Sequence, residues 1–253
     1  MKRPTTRVTI HDSARGRRTD TVAVEEPLEI RVAGHSIAVT MRTPGEDFEL
    51  AAGFLFSEGG VRNRADIVGI SYCARPQNYN IVNVALGTPF DRARFSRHVY
   101  TTSSCGICGK ASLDLVRTAA PGRVSAFRPT AKVLLALPDK LAQPAFSKTG
   151  GLHAATLFDA AGNLLLARED VGRHNALDKL IGALLLADKL PASETVLLLS
   201  GRASFELVQK AVMAGIPAVA AIGAPSSLAI DLAKEFGVNL VGFLRADRFN
   251  EYC

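Results

Sequence analysis

Two apolar runs, Thr195-Val196-Leu197-Leu198-Leu199 and Ala218-Val219-Ala220-Ala221-Ile222, hold a single hydroxyl between them and show no polar alternation. Strands of this kind bury both faces, which happens when helices cover a largely parallel sheet. Amphipathic stretches at Phe205 to Ala214 and Ser226 to Phe236 supply helices between and after them, and Asn239 to Leu244 reads as a further strand. Upstream, strands His153 to Phe158 and Leu164 to Arg168 flank the turn Ala161-Gly162-Asn163, and a helix follows over Asn175 to Asp188. Another helix is expected over Ala131 to Gln143, and one opens at Cys105. The second half, residues 96–253, is therefore expected to be a three-layer α/β domain.

The first half has a different rhythm. Thr21 to Arg31 and Ser36 to Arg42 alternate in strand fashion around Ala33-Gly34-His35, the pattern of a β-hairpin. Thr43-Pro44-Gly45-Glu46 offers an N-terminal cap with proline at the first helical position. A helix over Asp47 to Phe56 then stops at Gly59-Gly60. Strands at Ile67 to Tyr72 and Tyr79 to Leu86 complete a smaller α+β domain, residues 21–95, with a polar boundary at 87–96. Residues 1–20, with the cluster Arg15 to Arg18, read as a basic flexible tail.

At 253 residues and 47% hydrophobic, the chain can bury one large core or two small ones. Four cysteines in this length make no disulfide scaffold and point to a reducing compartment. The N-terminus lacks an apolar signal core, and the longest apolar run, Ile216 to Ile230, is interrupted by Pro217 and Pro225. It is too short for a bilayer, which needs about 20 apolar residues. A cytoplasmic protein without a membrane segment is expected. A net charge of +6 suits an anionic ligand or an acidic partner. Nucleic acid is not expected, because aromatics are only 6% and no binding motif of the usual spacing occurs.

The chemistry concentrates in Thr101-Thr102-Ser103-Ser104-Cys105-Gly106-Ile107-Cys108-Gly109-Lys110. An extended run before it and a helix-like run after it place both thiols in a first helical turn. Free N–H groups and the helix dipole favour thiolate there, and Lys110 adds positive charge. Gly106 and Gly109 leave room for a substrate beside the sulfurs. A structural zinc site would need a second ligand pair, and Cys73 and Cys253 are isolated. A zinc deaminase would need His-x-Glu upstream, which His11, His35 and His98 do not provide. A redox dithiol and a buried inert pair remain alternatives. Cys253 is expected in a mobile tail.

Four polar clusters follow predicted strands: Arg168 to Asn175, Ser200-Gly201-Arg202-Ala203-Ser204, Gly223-Ala224-Pro225-Ser226-Ser227, and Phe243-Leu244-Arg245-Ala246-Asp247-Arg248. Ligands of α/β sheets bind beyond the carboxyl ends of the strands, where helix N-termini cradle phosphates. Any one cluster is explained by ordinary capping, with Asp170 or Ser204 as the cap. Four together, three with arginine, favour an anion site. His153 and His174 form a candidate acid–base pair, although each alone is more often a hydrogen-bonded structural histidine.

Taken together these motifs resemble the formate dehydrogenase accessory sulfurtransferase family, FdhD. The matching segments are Glu26-Pro27-Leu28, Met41 through Asp47, Gly53 through Gly59, Ser103 through Gly109, Thr149 through His153, Glu169 through Lys179, and Ser200-Gly201-Arg202. The resemblance implies a cytidine-deaminase-like C-terminal domain without the zinc, no permanently bound metal, and a homodimer. It implies a sulfur carrier that accepts persulfide sulfur from a cysteine desulfurase. The sulfur passes to the molybdenum bis(molybdopterin guanine dinucleotide) cofactor, held as bound substrate, before the cofactor enters formate dehydrogenase. Cys105 is the implied persulfide cysteine, with Cys108 beside it. Phe243, Leu244, Arg245, Ala246, Asp247 and Arg248 are the implied cofactor-binding loop, although Ala246 and Asp247 stand where relatives often have glycine. A non-catalytic chaperone of the same cofactor is the alternative.

Overall fold

The computed structural model of the protein describes residues 3–74, 77–88, 90, 120 and 122–253. Three sheets organise it. Strands β1 (Thr5–Asp12) and β2 (Gly16–Ala23) form a separate antiparallel ribbon. Strands β3 (Glu26–Val32), β4 (His35–Arg42), β5 (Ile67–Ala74) and β6 (Gln77–Leu86) form a four-stranded sheet in the order β4-β3-β6-β5. Strands β7 (His153–Asp159), β8 (Leu164–Asp170), β9 (Thr195–Leu199), β10 (Ala218–Ala221), β11 (Asn239–Gly242) and β12 (Asn250–Glu251) form the larger sheet, ordered β12-β11-β10-β9-β7-β8. In it β9, β10 and β11 are parallel, while β7 is antiparallel to both β8 and β9.

The unbroken apolar strands split their side chains between two cores. Leu197, Leu199, Val219 and Ala221 join one cluster with helices α4 (Arg173–Leu186), α5 (Phe205–Met213) and α6 (Ser227–Phe236). Val196, Leu198, Ala218, Ala220 and Val241 join a second with Leu134 and Leu137, on and just after α2 (Ala131–Ala136). That two-sided burial is why these strands need no polar face.

The first cluster continues through Leu177 and Leu180 into Leu50 and Leu55 of α1 (Asp47–Ser57), and on to Leu28, Val82 and Val84 of the small sheet. The layers thus run sheet, α1, α4, sheet. The crossing of α1 and α4 is a backbone contact. A Cβ on Gly53 would lie 1.8 Å from the Asp178 carbonyl oxygen, and one on Gly182 would lie 1.8 Å from that of Glu49.

Several expectations are corrected. Residues 5–23 are paired strands where a flexible tail through residue 20 was expected, because Val8, Ile10 and Val22 give the ribbon one half-buried face. The helix expected over 131–143 ends at Ala136, and Pro138 opens a separate 3-10 turn. Residues 146–149 form a further helical turn, α3 (Phe146–Thr149). The Cys253 carbonyl accepts from Leu240 N at 3.0 Å and Asn239 Nδ2 at 2.9 Å, so the expected mobile tail is a fixed edge of the sheet. Burial raises the Cys253 thiol pKa.

Candidate functional site

Strands β8 to β11 end on one side of the larger sheet, and β7 starts there, so the four polar clusters gather along one edge. Their loops are bonded to one another through backbone. Gly223 N donates to Gly201 O at 2.8 Å, Phe243 N to Gly223 O at 3.0 Å, and Ala203 N to Ala224 O at 3.1 Å. A Cβ on Gly223 would fall 2.9 Å from Gly201 O, so only glycine lets these loops approach this closely.

The cluster at the end of β8 divides its labour. Asp170 is fully buried and accepts from Thr43 N at 3.1 Å, Gly172 N at 2.8 Å and Asn175 Nδ2 at 3.1 Å, with Lys179 Nζ at 2.8 Å. Lys179 also donates to Thr43 O at 2.9 Å, and Asn175 Nδ2 to Met41 O at 2.7 Å. These groups fasten the start of α1 to the larger sheet and are consumed by that task. Glu169 accepts from Ala145 N at 2.9 Å and Phe146 N at 2.7 Å, tethering the first turn of α3. Arg173 Nε, His174 Nε2 and Ser204 Oγ are buried without a hydrogen-bond partner among the described residues. His174 Nε2 stands 3.8 Å from Glu206 Oε2, a long contact that is an ion pair only when the imidazole is protonated. The Glu206 carboxyl is held down at about 2, chiefly by the His174 ring and against its own burial.

The loop after β11 presents a mixed set. Phe243 is 44% exposed and adopts left-handed backbone, φ 52°, which a bulky residue rarely does. Leu244 is fully buried in the second core. Arg245 Nη1 donates to the carbonyls of Ile222 and Leu244, both at 2.7 Å, while the residue stays exposed. Ala246, Asp247 and Arg248 are exposed, and Arg248 Nη1 lies 3.2 Å from Asp247 Oδ2. Arg245 therefore braces the loop, and Arg248 is the freer cation, in a surface pair that competes weakly with a ligand.

At the other end of the edge lies a cavity of about 370 Å³, lined by Gln143, Phe146, Gly150, Gly151, Leu152, His153 and Ser200. Ser200 Oγ accepts from Ala154 N at 2.8 Å, which fixes the hydroxyl at the start of β7. The His153 pKa is lowered, first by burial and then by the charges of Arg173 and His174, with Asp170 opposing. Gln143 and Phe146 carried no sequence signal; only the neighbouring Thr149-Gly150-Gly151-Leu152-His153 did.

Cys105, Cys108 and Lys110 lie outside the described residues. Among the described residues no three His, Cys, Asp or Glu side chains are grouped to hold a metal. None of their helices is long and apolar enough to cross a membrane.

The family model described as FdhD/NarQ family matches residues 23–253. The relative named "Sulfur carrier protein FdhD" from Streptomyces avermitilis is 55% identical over 258 residues, covering 97% of this chain and 92% of that protein. Its namesake from Mycobacterium tuberculosis is 52% identical over 254 residues, covering 93% and 90%. The crystal structure of a proposed formate dehydrogenase accessory protein from Desulfotalea psychrophila superimposes with TM-score 0.75 at 25% identity, covering 98% of this chain and 95% of that one.

Proposed function

Since the chain belongs to the FdhD/NarQ family, we propose that it is a cytoplasmic sulfur carrier for formate dehydrogenase, with Cys105 as its persulfide cysteine. The Cys105 thiolate attacks the terminal sulfur of a cysteine desulfurase persulfide. A new S–S bond forms as the old one breaks, and the desulfurase cysteine leaves as thiolate. The carried sulfur then passes to a molybdenum bis(molybdopterin guanine dinucleotide) cofactor bound as substrate, before that cofactor enters formate dehydrogenase. A homodimer is part of the same proposal.

The observation that carries the cofactor half of this reading is the edge itself. Arg173 at the start of α4 and Arg202, Arg245 and Arg248 in loops lie at one end of a single sheet, and buried Arg173 Nε has no partner among the described residues. Four guanidinium groups suit the phosphates of a dinucleotide, which arginine holds bidentately. Exposed Phe243, held in a strained backbone, offers a face on which a base can stack.

The test is labelled sulfur from desulfurase and cysteine, read by intact mass. Wild type and Cys108→Ser should gain one sulfur, and Cys105→Ser should gain none. Equal loading of Cys105→Ser removes the assignment. A wild-type protein that binds guanine nucleotide but never loads sulfur is instead a chaperone of the cofactor.

A further inference from the structure

Residues 1–20 hold six Lys and Arg against two Asp, so they contribute four of the chain's net +6. The β1–β2 ribbon sorts these charges between its two faces. Cross-strand partners share a face, and the register pairs Arg7 with Thr21, Thr9 with Thr19, and His11 with Arg17. On that face Arg7, Thr9, His11, Arg17 and Thr19 are all exposed, and it carries no acidic residue. Both aspartates lie on the opposite face, with half-buried Val8, Ile10 and Val22, where Asp12 pairs with Arg18 at 3.0 Å. Among the described residues neither Arg7 nor Arg17 has a side-chain hydrogen bond or ion pair.

The base of the ribbon adjoins the candidate site. β2 packs against α3, and a Cβ on Gly151, in the wall of the cavity, would lie 3.7 Å from the Ala23 Cβ. All of the ribbon but Ala23 also stands outside residues 23–253, the stretch the family model matches. Eight residues of strand span about 26 Å. An exposed ribbon face of that length, away from the one cavity described above, offers no pocket for a small ligand. It suits the rim of a protein interface, where charge governs the encounter rate more than the final affinity.

We propose that the Arg7–His11–Arg17 face is a docking surface for an acidic patch on the protein that donates sulfur. The proposal rests on the sulfur-carrier reading. Its occupant is a protein; a dinucleotide or a nucleic acid on this face would contradict it.

The experiment compares sulfur loading from persulfidated cysteine desulfurase with loading from inorganic polysulfide, in the full-length protein. The pair Arg7→Glu and Arg17→Glu should slow protein-donor loading about tenfold at low salt, and Arg7→Gln with Arg17→Gln should slow it less. The deficit should vanish near 1 M salt, where screening acts within about 3 Å. Arg18→Gln, on the opposite face, should stay within about twofold of wild type, and polysulfide loading should be equal in every variant. An unchanged protein-donor rate in the Glu pair overturns the proposal, as does a polysulfide rate that falls with it. Weaker GDP binding, or retention of a duplex oligonucleotide that the Glu pair abolishes, assigns the face to another ligand and overturns it too. Failure of wild type to load from either donor removes the sulfur-carrier reading itself, and this one with it.

Discussion

Gly53→Ala places a methyl group 1.8 Å from the Asp178 carbonyl oxygen, where Cβ contacts under 3.0 Å are essentially unknown. The atom in the way is backbone, so no rotamer change relieves the clash. The helices α1 and α4 must separate by at least about 1.2 Å along that contact, the difference between the two distances. In an exposed helix the same change would stabilise by about 1 kcal/mol through propensity. Overpacking in a core costs about 1–3 kcal/mol and sometimes more, and a rigid backbone contact belongs at the upper end. The expected net loss is about 2 kcal/mol, or a fall in Tm of roughly 4–8 °C at this chain length. Gly182→Ala faces the mirror contact with Glu49 O and should cost a similar amount. The double variant should lose less than the sum, since one separation relieves both clashes. Urea and thermal denaturation followed by circular dichroism decide it. A Gly53→Ala protein with an unchanged or higher midpoint would refute the backbone contact.

Two further outcomes follow from the edge loops. Replacing Arg245 and Arg248 with Ala should weaken GDP binding by about 2–4 kcal/mol if both reach phosphate, as calorimetry would show. Arg248→Ala alone separates ligand contact from loop bracing, because only Arg245 donates to Ile222 O and Leu244 O; full affinity in both variants moves the cofactor elsewhere. Glu206 has its folded pKa depressed to about 2 from 4.5, so its contribution is fully present above pH 4.5 and is lost as pH falls toward 2. With the side chain 43% exposed, solvent screening limits that contribution to about 1 kcal/mol. Between pH 5 and 3 wild type should therefore lose more stability than Glu206→Gln; equal losses would dissolve the pairing with His174.

Five of the six strands of the larger sheet were legible because their signal is local, whereas the two-residue edge strand Asn250–Glu251 was not. Thr195–Leu199 is bounded in the structure as its apolar run suggests, and the helices Phe205–Met213 and Ser227–Phe236 differ from expectation by one residue each. The ribbon at Thr5–Asp12 carried a strand alternation too, but its arginines invited the reading of a solvated tail. Asp170 looked like a local helix cap, but that helix starts from Gly172 without a side-chain cap; Asp170 instead closes a turn onto Gly172 N, and its bond to Thr43 N, 127 positions away, had no local trace. Thr43 was expected to cap α1, yet that helix starts from Glu46 with left-handed φ 53° and no side-chain cap. Phe243 was visible as a lone aromatic, whereas its left-handed backbone is imposed by tertiary contacts. Cys105 and Cys108 were legible as chemistry alone.

The backbone bonds that join Gly201 to Gly223 and Gly223 to Phe243 have a thermodynamic consequence. Loops that must order themselves around a ligand spend part of the binding free energy on lost motion. Here three of the four loops are tied edge to edge before anything binds, so the dinucleotide of the proposed cofactor would meet a surface whose entropy has already been surrendered during folding. The spacing between loops then acts as a fixed gauge. Anions whose charges match it are held at little further cost, and those that do not match cannot draw the loops to fit.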